Sequence, residues 1–484
     1  MYSWKISCKT DTYEIPSVHH IRKGRILMSA KRASAKLDMT NGSIVKLILL
    51  FALPICAGNV LQLLYNTVDK LVIGNFCDSA SLAAVGTSSQ PVEMLLCIFL
   101  GIGTGVSILV SHSVGGNDQK RLKTVTATAI GFLYCSAIPL TVIGLFVGPL
   151  ILRFMQVPAD AWDYAVAYLQ IILLGVLGNM GYNMNAGILR GLGDSRSTLI
   201  FLIISCIANI VMDLLFVVVF HMNVSGVAVA TTISMYISWL FSIFYIKKHY
   251  PELEFTFLPQ RIDKNELKSI IQVGLPLGLN NSIYSVGHMV LQILINMQGS
   301  TFVAACSVAT TVTGIANVAI GSFSAAATTF SGQNFGAQKY RRLVTGGRLI
   351  PICNGVIAAS AGIIVTIFCR PILSVFTKDS AAIDLAVLYI YVVLPSYWTY
   401  AVFNCILNFA NGLGEVRYST MINLLMLWAV RIPCACLIAF CISGTYVMAC
   451  YPISFAFGMI CMLHFFRTKQ WANIKQKAAE ETAV

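Results

Sequence analysis

From Ile44 onward the chain is a succession of long apolar stretches separated by short polar connectors. Each stretch reaches about the 20 residues that carry an α-helix across a bilayer. They are rich in Leu, Ile, Val and Phe and lack the short alternating segments of an outer-membrane barrel. Twelve are placed near residues 44–73, 81–112, 125–148, 164–188, 198–220, 226–246, 267–297, 303–331, 346–369, 383–409, 419–441 and 447–466. The chain is 57% hydrophobic and only 11% charged, where soluble proteins carry roughly 25% charged residues. A water-soluble enzyme is excluded, and an all-α polytopic membrane protein is expected.

The charges give the topology. Lys120, Arg121 and Lys123, then Lys247, Lys248, Arg261 and Lys264, then Lys339, Arg341 and Arg342 fall in alternate connectors. By the positive-inside rule those connectors are cytoplasmic, and both termini with them, in a multi-pass protein of the cell inner membrane. On the opposite side lie only Arg153, Arg370 and Lys378, with Lys70 and Arg431 inside spans. The net charge of +13 therefore reads as topology plus attraction to anionic lipid headgroups, with no nucleic-acid partner. Residues 1–43 read as a basic cytoplasmic tail without the apolar core of a signal peptide, whose start is open among Met1, Met28 and Met39. Fifteen cysteines, without a CxxC pair, read as small core residues with no disulfide or structural metal.

The chain repeats itself at a shift of about 221 residues. Leu53-Pro54 recurs as Leu275-Pro276, Ala83-Ala84 as Ala304-Ala305, and Gly115 with its downstream basic turn as Gly336 with its own. Gly191-Leu192-Gly193-Asp194 recurs as Gly412-Leu413-Gly414-Glu415. Six spans per half is an even number, so both halves share one orientation and a pseudo-twofold axis runs along the membrane normal. The expected organisation is a six-helix bundle over 44–246, a cytoplasmic linker over 247–266 that lets the halves rock, a second bundle over 267–466 and a cytoplasmic tail over 467–484.

A carboxylate at the bilayer centre costs about 2.5–3.5 kcal/mol, and only Asp69, Glu93 and Asp213 fall clearly inside spans. Asp213 follows Asn209 by four positions, which stacks amide and carboxylate on one helix face. Thr231 and Thr232 lie on the next span. With Asp69 these oxygens suit a hard cation such as sodium, a shared proton, or a satisfied structural network. Pro54, fifteen residues before Asp69, is either a static kink or a hinge that moves the carboxylate.

The arrangement over residues 44–466 resembles the multidrug and toxic compound extrusion (MATE) transporters of prokaryotic type. The resemblance rests on Leu53-Pro54, Tyr65-Asn66-Thr67-Val68-Asp69, Leu82-Ala83-Ala84-Val85-Gly86 and Gly191-Leu192-Gly193-Asp194 in that order. It implies a cation site in the first half at Asp69, Asn209, Asp213 and Thr231, joined by the main-chain carbonyl of Val227. It also implies a lobe-lining tyrosine at Tyr168, and export of amphipathic or cationic small molecules by antiport with sodium or protons. No cofactor, no enzymatic activity and a functional monomer go with it.

Asp69 aligns with Leu291, and spans 7 and 8 hold no acidic residue. Coupling is thus expected in the first half alone, closer to the DinF-like than the NorM-like pattern. Glu93 is a candidate contact for cationic cargo, and His288, Asn280, Asn281 and Gln292 read as interhelical hydrogen bonding. The cavity is expected to bind through shape and apolar contact from Met and aromatic side chains. The alternative function is a lipid-linked sugar flippase of the wider MOP superfamily, which needs several cavity cations, whereas only Lys70 and Arg431 are intramembrane.

Overall fold

The computed structural model describes residues 36–77, 79–155, 157, 161–257, 262–377 and 379–483. The basic tail through residue 35, with the candidate starts Met1 and Met28, lies outside them. Among the described residues every regular element is a helix.

Twelve helices of spanning length follow one another: α1 (Ile44–Phe76), α2 (Ser79–Gly115), α3 (Gln119–Phe154), α4 (Trp162–Leu174 with Val176–Leu192), α5 (Arg196–Val219), α6 (Asn223–His249), α7 (Lys264–Asn296), α8 (Ser300–Gly336), α9 (Tyr340–Ile367), α10 (Ser380–Gly412), α11 (Val416–Ile442) and α12 (Gly444–Arg467). A thirteenth, α13 (Lys469–Ala483), closes the chain. Ten of the twelve are apolar enough to cross a membrane alone, and α4 qualifies when its two segments count as one span. The twelfth, α7, has the length at 33 residues but carries a polar stripe. Its Asn280 is buried and accepts from Asn423 at 3.1 Å, as interhelical bonding requires, whereas Asn281, His288 and Gln292 are exposed. The outer surface is apolar, with Phe146, Phe154, Ile367 and Phe440 bare, as a lipid-facing belt should be.

The expected single span at 164–188 is bent by 42° at Gly175. A Cβ on Gly175 would meet the Thr232 hydroxyl at 2.9 Å, so only glycine lets α6 approach here. The carbonyls loosened by the bend are satisfied from α6, Ile171 by the Thr232 hydroxyl at 3.0 Å and Leu174 by Tyr236 at 2.8 Å. Backbone inside a bilayer demands that substitution.

The two halves interlock rather than merely face each other. The start of α1 (Ile48, Phe51) packs into a cluster with Phe323 and Phe330 of α8, while its end (Val72, Ile73) packs with Val217 and Val227 of its own half. Reciprocally, Ile270 at the start of α7 belongs to the first half's core, and Leu291 and Leu294 to the second's. Pro54 and Pro276 sit at the two crossovers. Where α2 meets α7, a Cβ on Gly101 would overlap the backbone of Gly278, and one on Gly105 that of Gly274.

The basic end of the bundle is closed. Gly193 and Gly414, at φ +92° and +91°, turn the chain after α4 and α10 in a left-handed conformation that glycine adopts without strain. His112 Nε2 lies 2.7 Å from the Gly412 carbonyl, and Gln333 Nε2 donates to the Gly191 carbonyl at 2.9 Å. The segment before α1 straps this end. Leu37 N–H donates to Gly193 O at 3.0 Å, Met39 N–H to Gln333 at 3.1 Å, and Lys339 and Arg342 donate to Thr40 and Gly42 carbonyls.

The described part of the expected linker over 247–266 packs on the first half. Leu253 and Phe255 are buried in the first half's core, and Tyr250 donates to Asp194 at 2.9 Å. Beyond α12, Trp471 of α13 is buried against Phe409 and Phe465, so part of the expected tail is a docked helix. No disulfide joins the described cysteines.

Candidate functional site

Three helices of the first half bring the expected cation-site residues together. Asp69 lies near the end of α1, Asn209 and Asp213 on the face of α5 that meets it, and Thr231 on α6 beside both. Asn209, Asp213 and Thr231 are buried. Asn209 Nδ2 donates to Thr231 Oγ1 at 3.5 Å, and the Thr231 hydroxyl in turn reaches the Asp69 carboxyl, which also faces that of Asp213. Thr232 points away, into the α4 break described above.

Four buried oxygens accept no hydrogen bond from an N–H or hydroxyl donor, Asp69 Oδ1, Asn209 Oδ1 and both carboxyl oxygens of Asp213, so the two carboxyls pair with each other only when one of them carries a proton. Buried polar atoms are almost always paired, and two facing carboxylates cannot both stay bare in a low-dielectric interior. None of the ion pairs among the described residues involves either of them. The donor set is all oxygen, which suits a hard cation or a proton. Among the described residues no cluster of three or more His, Cys, Asp or Glu side chains has the makings of a metal site.

Val227 is buried, and its side chain joins Val72, Ile73 and Val217 in an apolar layer next to the carboxyls. Its carbonyl belongs to the continuous helix α6. Asp213 is the last α-helical residue of α5, and Leu214–Val219 winds as a π turn, a device that widens a helix and recurs at functional sites.

Beside this cluster lies a cavity of about 420 Å³, within the usual range for small-molecule sites. Asn209 and Tyr65 belong to its wall, so cavity and carboxyl cluster share residues. The wall holds Tyr182, Met235 and several leucines beside these, yet is more polar than the expected surface of Met and aromatic side chains. It is amide-rich, with Asn59, Gln62, Asn179, Asn183 and Asn281, and it includes Arg190. Arg190 adjoins the Gly191–Asp194 turn at the basic end, yet its side chain turns inward. Tyr168 and Tyr65 both lie within electrostatic reach of Asp69 and Asp213. The side chains of Glu93 and Lys70 lie outside the described residues. Amides at four-residue spacing, as in Asn179 and Asn183, were the available signal for the missed wall.

Comparison with known proteins agrees with this architecture. The family model MatE matches residues 54–215 and again 276–437. "Probable multidrug resistance protein YpnP" of Bacillus subtilis is 27% identical over 90% of this chain and 98% of its own length. "Probable multidrug resistance protein NorM" of Thermotoga maritima is 23% identical over 79% and 83%. A solved structure described as the "outward-facing conformation of a multidrug resistance MATE family transporter of the MOP superfamily" superposes with a TM-score of 0.83 at 22% identity, covering 90% of this chain and 98% of that one. With one copy of the family model in each half and the twelve-helix architecture in common, the chain belongs to the MatE family of membrane transporters.

Proposed function

We propose that the chain exports amphipathic, often cationic small molecules by antiport, with sodium or protons entering through Asp69, Asn209, Asp213 and Thr231. The observation that carries this reading is the set of four buried, unpartnered oxygens on two carboxyls and an amide at the edge of a drug-sized cavity. Two facing carboxyls with an amide oxygen beside them favour a positive charge between them over a purely structural network.

The basic end faces the cytoplasm of a cell inner membrane, both termini lie there, and one chain is the working unit. With that end latched, the cavity is reached from outside. Charge neutralisation draws Asp69 and Asp213 together, α1 bends at its Pro54 crossover, the shared wall at Tyr65 and Asn209 contracts, and cargo leaves. The halves then rock, the charge escapes inward and new cargo enters beside Tyr168. One charge moving inward across 100 mV supplies about 2.3 kcal/mol, roughly a fiftyfold cargo gradient. Coupling rests on the first half, the DinF-like pattern, because the second half places Leu291 opposite Asp69.

Arg190 in the cavity wall is the one observation in favour of a flippase for lipid-linked sugars. One cavity cation among six amides offers a diphosphate far less than it needs, and efflux remains the stronger reading.

The test is efflux from proteoliposomes under separately imposed sodium and proton gradients, with Asp69→Asn and Asp213→Asn beside wild type. Dependence on one gradient names the ion. Normal gradient-driven efflux in both variants would overturn the site.

A further inference from the structure

The two copies of the family model cover 54–215 and 276–437, and the repeat runs at a shift of 221 to 222 positions, from Leu53-Pro54 with Leu275-Pro276 to Gly191–Asp194 with Gly412–Glu415. At that shift Asp69 falls on Val290 or Leu291, Asp213 on Cys434 or Ala435, and Asn209 on Val430 or Arg431. The second half thus has no carboxyl at the matching positions and carries a guanidinium at or beside the position of the amide. The helix geometry is reproduced as well. A π turn follows Asp213 in α5, one at Ile438–Ile442 follows Ala435 in α11, and α11 carries an additional one, Met426–Arg431, that ends on the arginine.

Arg431 is 1% exposed and makes no ion pair among the described residues. Its Nε donates to Ser454 Oγ at 2.9 Å and its Nη1 to the Tyr284 hydroxyl at 2.9 Å. A guanidinium has five N–H donors. Three are therefore unused, and Nη2 is buried with no partner. The rings of Tyr451 and Phe455 lie 4.9 and 5.1 Å from the guanidinium carbon, which gives cation–π attraction and covers its faces. The unsatisfied edge is the one that matches a carboxylate or a halide. Tyr284 connects this edge to the accessible face of α7, where the His288 ring packs against it at a tilt with centroids 4.9 Å apart and Asn281 reaches the cavity of the first half.

We infer that the second half holds an anion-binding site on the free edge of Arg431, between Tyr284 and His288, as the counterpart of the first half's cation site. Its ligand is a small anionic group, either the carboxylate of an amphipathic cargo or a chloride ion. An uncompensated guanidinium in a low-dielectric interior is strongly unfavourable, and such a ligand removes that cost. The assignment of a cargo carboxylate rests on the efflux reading. The site itself is tested by binding.

The purified full-length protein is titrated with 1-naphthoate, its neutral isostere 1-naphthamide, and chloride. Naphthoate is expected to bind at least tenfold more tightly than the amide and to be displaced by chloride. That preference should vanish in Arg431→Gln, survive in part in Arg431→Lys and persist in Arg190→Gln. Saturable chloride binding that depends on Arg431, with no preference for naphthoate, supports the site and identifies its ligand as the inorganic ion. Equal binding of naphthoate and naphthamide together with no saturable chloride effect in wild type overturns the proposal, whatever the variants do. Loss of the preference in Arg190→Gln and not in Arg431→Gln also overturns it, by moving the anion to the first half. Failure of gradient-driven efflux leaves these binding results standing, so the two readings fail separately.

Discussion

His112 and Gln333 occupy matching positions near the ends of α2 and α8, and each reaches into the opposite half for the carbonyl that the other's repeat provides. His112 Nε2 meets Gly412 O at 2.7 Å and Gln333 Nε2 meets Gly191 O at 2.9 Å. Since the acceptor is a carbonyl, Nε2 of His112 carries the proton. This crossed pair latches the basic end. A buried hydrogen bond contributes about 1 kcal/mol net, so His112→Ala or Gln333→Ala should each raise the open fraction about fivefold, and the double variant about 25-fold. Hydrogen exchange of the 191–194 and 412–415 turns reads this directly. His112→Gln, which copies the twin, should retain protection, and unchanged exchange in the double variant would dispose of the latch.

The unpartnered oxygens of Asp69, Asn209 and Asp213 predict that the coupling ion stabilises the fold. An ion at about 100 times its Kd adds about 2.7 kcal/mol. Thermal unfolding of wild type should therefore shift upward with sodium at fixed pH, or with acidification at fixed sodium if the proton is the ion. Asp213→Asn should abolish the shift. A wild-type midpoint that responds to neither would refute ion binding at this cluster.

Much of this was legible in the sequence, for physical reasons that also mark where legibility ended. Apolar length and charge placement located the twelve spans, because bilayer thickness fixes one and the cost of moving charge across lipid fixes the other. The convergence of Asp69, Asn209, Asp213 and Thr231 followed from helical spacing plus a family likeness. The interlock was not legible, since Ile48 and Ile270 are apolar whichever core they join. Nor was the inward turn of Arg190, because position beside a turn says nothing about side-chain direction. His112 drew no attention as a lone histidine on an apolar span. Its signal was the repeat itself, which places Gln333 at the matching position.

Asp194, fully buried at the basic end, gathers four donors: Ser197 N–H at 3.0 Å, Ser197 Oγ at 2.7 Å, Tyr245 at 3.3 Å and Tyr250 at 2.9 Å. Removing this carboxylate leaves buried donors without an acceptor at about 1–3 kcal/mol each, so Asp194→Ala should lose much of the protein's thermal stability. Tyr250 lies beyond the end of α6, and burial, then the Asp194 charge, push its phenol well above the ordinary tyrosine value. The folded state thus disfavours ionisation that the unfolded chain accepts near pH 10. Stability from this contact is full below that pH and falls as pH rises above it. A stability profile from pH 8 to 11 should decline in wild type and decline less steeply in Tyr250→Phe.

The α2 and α7 crossing depends on glycine for a reason that substitution can isolate. A Cβ on Gly101 would overlap the backbone of Gly278, whereas a Cβ on Gly321 of α8 meets nothing within 4 Å. Backbone cannot rotate aside as a side chain can, so Gly101→Ala must separate the helices along which the halves touch. Overpacking of this kind costs about 1–3 kcal/mol or more. Gly321→Ala has the same change of composition without the obstruction, and by lowering the unfolded chain's freedom it should be neutral or stabilising by about 0.5–1 kcal/mol. Thermal midpoints in detergent should therefore move in opposite directions, with Gly101→Ala down and Gly321→Ala level or up. Equal midpoints would mean that the two halves approach less closely at α2 and α7 than this geometry requires.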